Sequence, residues 1–207
     1  MDRKRDVGVL VFDGFETLDV MGPIELFGMH ADAFSMYFVA EELGNVTSSQ
    51  GQAIVAERKV RDDAHYDIVL VPGGLGTRQA IHNEALMSWI KRMSASAEIL
   101  SSVCTGSALL AKAGALDGKR ATSNKMSFAW VKEQGPSVNW VNQARWVEDG
   151  KVFTSSGVSA GMDMTLAVIA RLLGEAAAED AALRAEYTWQ RDATQDPFAA
   201  AWGLVEE

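Results

Sequence analysis

The chain has 207 residues, 48% of them hydrophobic and 23% charged, which is enough apolar material for a packed core and rules out a disordered or fibrous chain. Its 19 basic and 28 acidic residues leave a net charge of −9, which works against nonspecific binding to nucleic acid or to an anionic membrane. The single cysteine, Cys104, excludes an internal disulfide framework and an all-cysteine metal cage, and no run approaches the ~20 apolar residues of a membrane span, so a reducing cytoplasm is the expected setting.

The charged start, Met1-Asp2-Arg3-Lys4-Arg5-Asp6, resembles the n-region of a signal peptide, but the apolar run over 7–12 stops at Asp13 before an h-region is complete. That run, Val7-Gly8-Val9-Leu10-Val11-Phe12, reads instead as a buried first strand closed by the turn signal Asp13-Gly14. Gly22-Pro23 is expected to open a helix through Met29, with proline at the first helical position. Residues 36–40 read as a second strand, and 45–52 as a hairpin around Gly51 whose return is Ile54-Val55-Ala56. Residues 67–71 form a continuous apolar strand ending in Pro72-Gly73-Gly74, followed by a helix with Leu86, Trp89, Ile90 and Met93 on one face. Another buried strand over 99–103 leads into Cys104 and at once into the helical pattern of Ala108, Leu109, Leu110, Ala111 and Ala113, which Gly114 stops. Further on the pattern predicts a helix over 127–133, β-rich pieces at 138–141, 145–147 and 152–155, a strong helix over 162–173, and an alanine-rich helix over 175–189 before an irregular tail. With no internal repeat or linker, this alternation predicts one α/β domain over 1–207, a mostly parallel sheet covered on both faces that binds ligands at the carboxyl ends of its strands.

Ser102-Val103-Cys104-Thr105-Gly106 places the cysteine between small residues two before and two after it, at a strand-to-helix junction. That is the spacing of a nucleophile elbow, in which bulkier flanks would clash in the tight turn. The helix that follows is expected to lower the thiol pKa, and the Thr105 N–H to bind a developing anion. The plainer reading of Cys104 is a small buried hydrophobe. Gly73 and Gly74 end a neighbouring strand, where a backbone N–H would complete an oxyanion hole or merely close a turn; no Lys-Ser/Thr pair follows to make a phosphate loop. Asp19, set among apolar neighbours after the first strand, is either a partly desolvated proton carrier or the cap of the next helix.

His30, His65 and His82 are scattered, so no Cys-His pair and no metal-ligand spacing is evident, and each is expected at the solvated surface. Neither a metal nor a cofactor is expected. The six tryptophans read first as core, and otherwise as the lining of a pocket or an oligomer interface. The tail around Trp189-Gln190-Arg191-Asp192 and Asp196-Pro197-Phe198 has the composition of an ordered segment, available to cover a site or a partner subunit.

Leu18-Asp19-x-x-Gly22-Pro23, Val71-Pro72-Gly73-Gly74, Val103-Cys104-Thr105-Gly106-Ser107, Ala113-Gly114-x-Leu116-x-Gly118 and Ser156-Gly157-Val158-Ser159-Ala160-Gly161-Met162-Asp163 together resemble the ThiJ/PfpI superfamily, and within it the isocyanide hydratases, colinearly over about 7–190. The resemblance implies a flavodoxin-like three-layer α/β sandwich, of the class I glutamine amidotransferase-like kind, and a homodimer. It makes Cys104 the nucleophile and Asp19 the residue for proton and water steps, with Thr105 and Gly74 around the sulfur. The implied reaction adds water to an isocyanide through a Cys104 thioimidate, giving an N-substituted formamide, with a small electrophile as partner and neither nucleic acid nor membrane. Two departures stand out. The protease-like branch has histidine directly after the cysteine, where this chain has Thr105. Isocyanide hydratases read Ala-Thr-Thr-His-Trp where this chain reads Ala121-Thr122-Ser123-Asn124-Lys125, so Asn124 becomes the expected substrate contact on that wall. The alternatives are a glyoxalase-type enzyme on reactive dicarbonyls and a cysteine redox sensor or small-molecule-binding protein. Related sensors carry an attached DNA-binding region, for which 207 residues are expected to leave no room.

Overall fold

The computed structural model describes residues 3–205; Met1 and Asp2, the start of the leader-like stretch, lie outside the described residues, as do Glu206 and Glu207 at the far end of the expected domain. In chain order the elements are β1 (Arg5–Leu10), α1 (Thr17–Gly28), β2 (Phe34–Ala40), β3 (Gly44–Thr47), β4 (Ala53–Ala56), β5 (Arg58–Lys59), β6 (Ile68–Val71), α2 (Thr77–Ala80), α3 (Glu84–Ser96) and β7 (Ile99–Ser102). Then follow α4 (Gly106–Lys112), β8 (Arg120–Ala121), α5 (Phe128–Gln134), β9 (Asn139–Trp140), β10 (Trp146–Asp149), β11 (Val152–Ser155), α6 (Ala160–Leu173), α7 (Glu175–Arg184) and α8 (Phe198–Ala201).

The main sheet has seven strands in the order β10-β11-β7-β6-β1-β2-β5, all parallel to their neighbours except edge strand β10. The runs that are apolar throughout, β6 and the second half of β1, lie at its centre, because a strand covered on both faces has no side that tolerates a polar residue. Helices α1, α6 and α7 pack on one another over one face and α2, α3, α4 and α5 over the other, giving a mostly parallel flavodoxin-like α/β sandwich. The hairpin expected around Gly51 forms from β3 and β4, paired antiparallel with Val46 opposite Ile54.

Two helix boundaries differ from expectation. Helix α1 begins at Thr17, not at Gly22-Pro23, and Pro23 sits buried inside it. Proline there cannot donate to the Asp19 carbonyl, a loss offset by burying the ring, and the early start places Asp19 in the first helical turn. Helix α7 stops at Arg184 instead of near residue 189, because Glu186 adopts a left-handed conformation with φ 49°. The short β5, β8, α2 and α8 carry too few residues to show a period and have no counterpart in the expectation.

The order β11-β7-β6-β1 has one consequence for function. These four strands are parallel and adjacent, so the segments leaving their carboxyl ends, 156–159, 103–105, 72–76 and 11–16, converge on one rim. The direction of winding reverses between β1 and β6, where such sheets open a crevice.

Candidate active site

Cys104 stands at the β7–α4 junction with φ 57°, a left-handed conformation that costs an ordinary residue about 1–2 kcal/mol. Hydrogen bonds on both sides hold it there. Its N–H donates to the Ser156 carbonyl at 3.1 Å, and its carbonyl accepts from Ser107 Oγ at 3.1 Å and Ser123 Oγ at 2.8 Å. The elbow needs Gly106 for the reason its spacing predicts: a Cβ at that position would lie 2.2 Å from the Val71 carbonyl oxygen. Gly73 is equally tight, since its Cβ would fall 2.6 Å from the Thr105 nitrogen and 2.8 Å from Cys104 Cβ. Cys104 as a whole is buried, only 6% exposed.

Asp19 is fully buried and faces the thiol from α1. It is not a cap: the residue preceding the helix is Glu16, and the Asp19 carboxylate instead accepts the Gly73 N–H at 2.8 Å through Oδ2. Its Oδ1 has no hydrogen-bond partner. Burial therefore raises the Asp19 pKa well above that of an ordinary carboxyl; the Gly73 bond opposes this, the charge of Glu16 reinforces it, and the polar Cys104 thiol facing the carboxyl opposes it.

The thiol departs from expectation. Burial, and then the charge of Asp19, push Cys104 up to about 12, against the N–H groups of Thr105 and Val158 and the Thr105 hydroxyl, which all favour the thiolate. Desolvation outweighs the helix end. Val158 was not singled out as a site residue, although it lies in the Ser156-to-Asp163 stretch that carries the resemblance. It is β-branched at φ 48°, an unusual conformation that turns its N–H toward the sulfur. A backbone donor has no signature in a sequence beyond the small residues that make room for it.

The other expected site residues are placed as follows. Thr105 is buried against the sulfur. The Gly74 N–H is already engaged, donating to Thr105 Oγ1 at 3.1 Å, and the Gly73 N–H is held by Asp19, so the two glycines shape the site without offering either donor to a ligand. Asn124 uses Oδ1 to accept the Ser127 N–H at 2.9 Å, and its Nδ2 lies 2.5 Å from where a Cβ on Gly157 would be, which places it beside the Val158 turn. Lys125 does not line the site: its Nζ is buried, donating to Thr122 Oγ1 at 2.7 Å and the Ala144 carbonyl at 2.8 Å, 3.8 Å from Asp196. Burial lowers the Lys125 pKa to about 8, against the attraction of Asp196.

No histidine is among the groups acting on Cys104 or Asp19. His65 and His82 are exposed as expected, whereas His30 is half-buried with Nε2 2.9 Å from the Ala177 carbonyl, because α7 packs over the end of α1. Among the described residues no cluster of His, Cys, Asp or Glu is arranged to hold a metal ion. Of the tryptophans, Trp89 and Trp146 are core and Trp202 is 53% exposed. The tail folds back on the body: Asp163 Oδ1 accepts from Tyr187 Oη and the Gln190 N–H, both at 2.9 Å, and the Ala193 carbonyl accepts the Arg145 N–H at 2.7 Å. A groove of about 350 Å³ between Phe12, Asp13, Glu41, Leu43 and Gln79 lies past the ends of β1 and β2 and includes neither Cys104 nor Asp19.

Comparison with known proteins places this arrangement in context. The model of the DJ-1/PfpI family matches residues 5–171. The chain is 33% identical over 183 residues to an isonitrile hydratase of Pseudomonas putida, covering 87% of this chain and 78% of that protein. It is 28% identical to the transcriptional regulator CdhR of Pseudomonas aeruginosa over 83% of this chain, a span of 52% of the regulator. Among solved structures, a ThiJ/PfpI family protein from Pseudomonas syringae superposes with a TM-score of 0.79 at 32% identity, over 89% of this chain and 76% of that one.

Proposed function

The chain belongs to the DJ-1/PfpI family, and from that premise we propose that it is a cofactor-free hydratase that adds water to an isocyanide. The observation that carries the reading is the buried pair itself: an acid with a raised pKa against a thiol that receives two backbone N–H groups and a hydroxyl. When the pair shares one negative charge, Sγ is the better holder, since three donors face it while Asp19 accepts a single N–H. Asp19 then holds the proton, and its own charge no longer opposes the thiolate.

In the proposed sequence the Cys104 thiolate attacks the terminal isocyanide carbon, and that carbon takes the Asp19 proton, giving a thioimidate and an aspartate. Asp19 accepts a proton from water as the hydroxide adds to the same carbon, and passes that proton to nitrogen. The tetrahedral adduct loses its hydroxyl proton to Asp19 as the C–S bond breaks, releasing the N-substituted formamide, the thiolate and a protonated acid ready for another cycle. The N–H groups of Thr105 and Val158 hold charge at sulfur throughout, and Asn124 borders the path of the substituent. A linear end group suits an almost closed thiol. The reading includes a single unit over 1–207 that acts as a cytoplasmic homodimer on a small electrophile; the net charge of −9 is in keeping with a partner that is neither nucleic acid nor an anionic membrane.

The test is formamide formation from a simple alkyl or aryl isocyanide, followed alongside Cys104→Ala. Turnover that vanishes in the variant supports the reading, and turnover that survives it ends the proposed chemistry. A second reading, a ligand-sensing module, draws on the likeness to half of a regulator. Isocyanide binding without turnover would favour it.

A further inference from the structure

Lys125 and Asp196 form a buried ion pair that the proposed reaction does not use, with side chains 2% and 0% exposed and Nζ 3.8 Å from Oδ2. Such a pair adds little net stability over an apolar replacement, so its effect lies in what it joins. The lysine end joins two segments: Nζ donates to Thr122 Oγ1 at 2.7 Å and to the Ala144 carbonyl at 2.8 Å, while the Thr122 hydroxyl donates to the Val141 carbonyl at 2.8 Å. The aspartate end belongs to the tail. Asp196 Oδ1 accepts the Phe198 N–H at 3.1 Å at the start of α8, and Oδ2 has no hydrogen bond, which leaves Nζ as its counter-charge. The tail around it is laid along 142–145: the Ala193 carbonyl accepts the Arg145 N–H at 2.7 Å, and the Leu204 carbonyl accepts from Asn142 Nδ2 at 3.0 Å. Ser123 lies between the residues so held, fully buried, with Oγ donating to the Cys104 carbonyl at 2.8 Å. The other hydroxyl on that carbonyl, Ser107 Oγ, comes from α4, the elbow's own helix, so Ser123 is the tie from outside the elbow.

We propose that Lys125 is a positioning residue for the nucleophile: paired with Asp196 of the tail, it fastens residues 122–125 so that the Ser123 hydroxyl holds the Cys104 carbonyl. That bond matters because Cys104 sits at φ 57°, a conformation that persists only while its surroundings hold it. Residues 122–125 are anchored at two ends. At the first, the Thr122 N–H donates to Thr154 Oγ1 at 2.9 Å; at the second stands Lys125. Removing the pair keeps the first anchor and frees the second, so Ser123 swings on a single attachment and the elbow relies on Ser107 and Ser156. The tail thereby acts as a strap on the active site without touching the thiol. The inference deepens the reading of Cys104 as the nucleophile, and its test does not depend on turnover.

The test is amide hydrogen exchange of the full chain, read by mass spectrometry, with isocyanide turnover measured beside it. One variant, Lys125→Met/Asp196→Asn, removes both charges together, so that neither is left buried alone, and keeps an acceptor for the start of α8. The other, Ser123→Ala, removes only the last link. In each, exchange over 102–108 is expected to quicken by about three- to tenfold, the scale of one hydrogen bond, with β1 and β6 unchanged. Combining all three substitutions is expected to add nothing further, because they cut one path. Turnover is expected to fall through kcat by about the same factor, with KM within about twofold. A packing role alone would lower the denaturation midpoint and leave exchange over 102–108 and kcat in place, which overturns the inference. Faster exchange in Ser123→Ala but not in the paired variant also overturns it, and leaves the nucleophile reading standing. A wild type that turns over no isocyanide, with exchange responding as expected, ends the hydratase reading and supports the strap.

Discussion

Asp19 and Asp163 are both fully buried aspartates, each in the first turn of a helix, yet their surroundings are opposite. Asp163 is saturated: Arg145 Nε reaches Oδ2 at 2.9 Å, and the Tyr187 hydroxyl and Gln190 N–H reach Oδ1 at 2.9 Å each. Asp19 has one backbone donor and an oxygen with none, and faces the Cys104 thiol. The saturated carboxylate ties the tail and α6 to the loop that carries Val158. The starved one is the carboxyl that the proposed reaction uses to hold and release a proton. Buried acids are costly unless paired, so leaving one unpaired marks the place where the chain gives up stability for chemistry.

Exchanging each carboxyl for its amide breaks that comparison most directly. Asp19→Asn is expected to lower turnover by about 10²–10⁴-fold, the scale of a lost general acid–base, while the denaturation midpoint stays level or rises. The reverse pattern is expected of Asp163→Asn: a loss of about 3–5 kcal/mol in urea unfolding, because Arg145 is left buried without its anion, and turnover per folded molecule within about threefold of the wild type. Equal effects of the two substitutions on activity would erase the distinction.

A pH series sharpens the comparison. The folded-state pKa of Asp19 is raised, so its contribution to stability is complete below the unfolded value of 3.8 and is lost as pH climbs through the folded one. The stability of Asp19→Asn relative to the wild type should therefore grow with pH above about 4, by about 1.4 kcal/mol per unit until the folded carboxyl titrates. A constant difference between the two proteins would contradict the raised pKa. The smallest expected effect is that of Val158→Gly. It keeps the N–H on the sulfur and removes the left-handed strain, so it should raise stability by up to about 1 kcal/mol and leave turnover within a few-fold.

Much of this was legible in the residues, and the rest was hidden for identifiable reasons. The central strands announce themselves because a doubly covered strand is apolar at every position, and the elbow because small residues two before and two after Cys104 answer a steric need. Asp19 stood out as an acid among apolar neighbours, but Pro23 drew the expected helix start past it. The direction of the thiol shift was read the wrong way, since a helix end is visible in a sequence and depth of burial is not. Val158 contributes a backbone N–H, so no local pattern points to it. Gly74 was expected to offer its N–H to a ligand; that donor instead belongs to Thr105, a pairing that needs the two loops side by side.

The near-closure of the thiol has a further consequence, for motion. With Cys104 only 6% exposed, a wide probe is expected to react only when the rim segments part. Reagents of increasing girth then read how often and how far those segments separate, and a substrate tail that lodges between them would slow the wide probes before the narrow ones. The depth that raises the energy of the thiolate thus makes this sulfur a gauge of how the protein breathes.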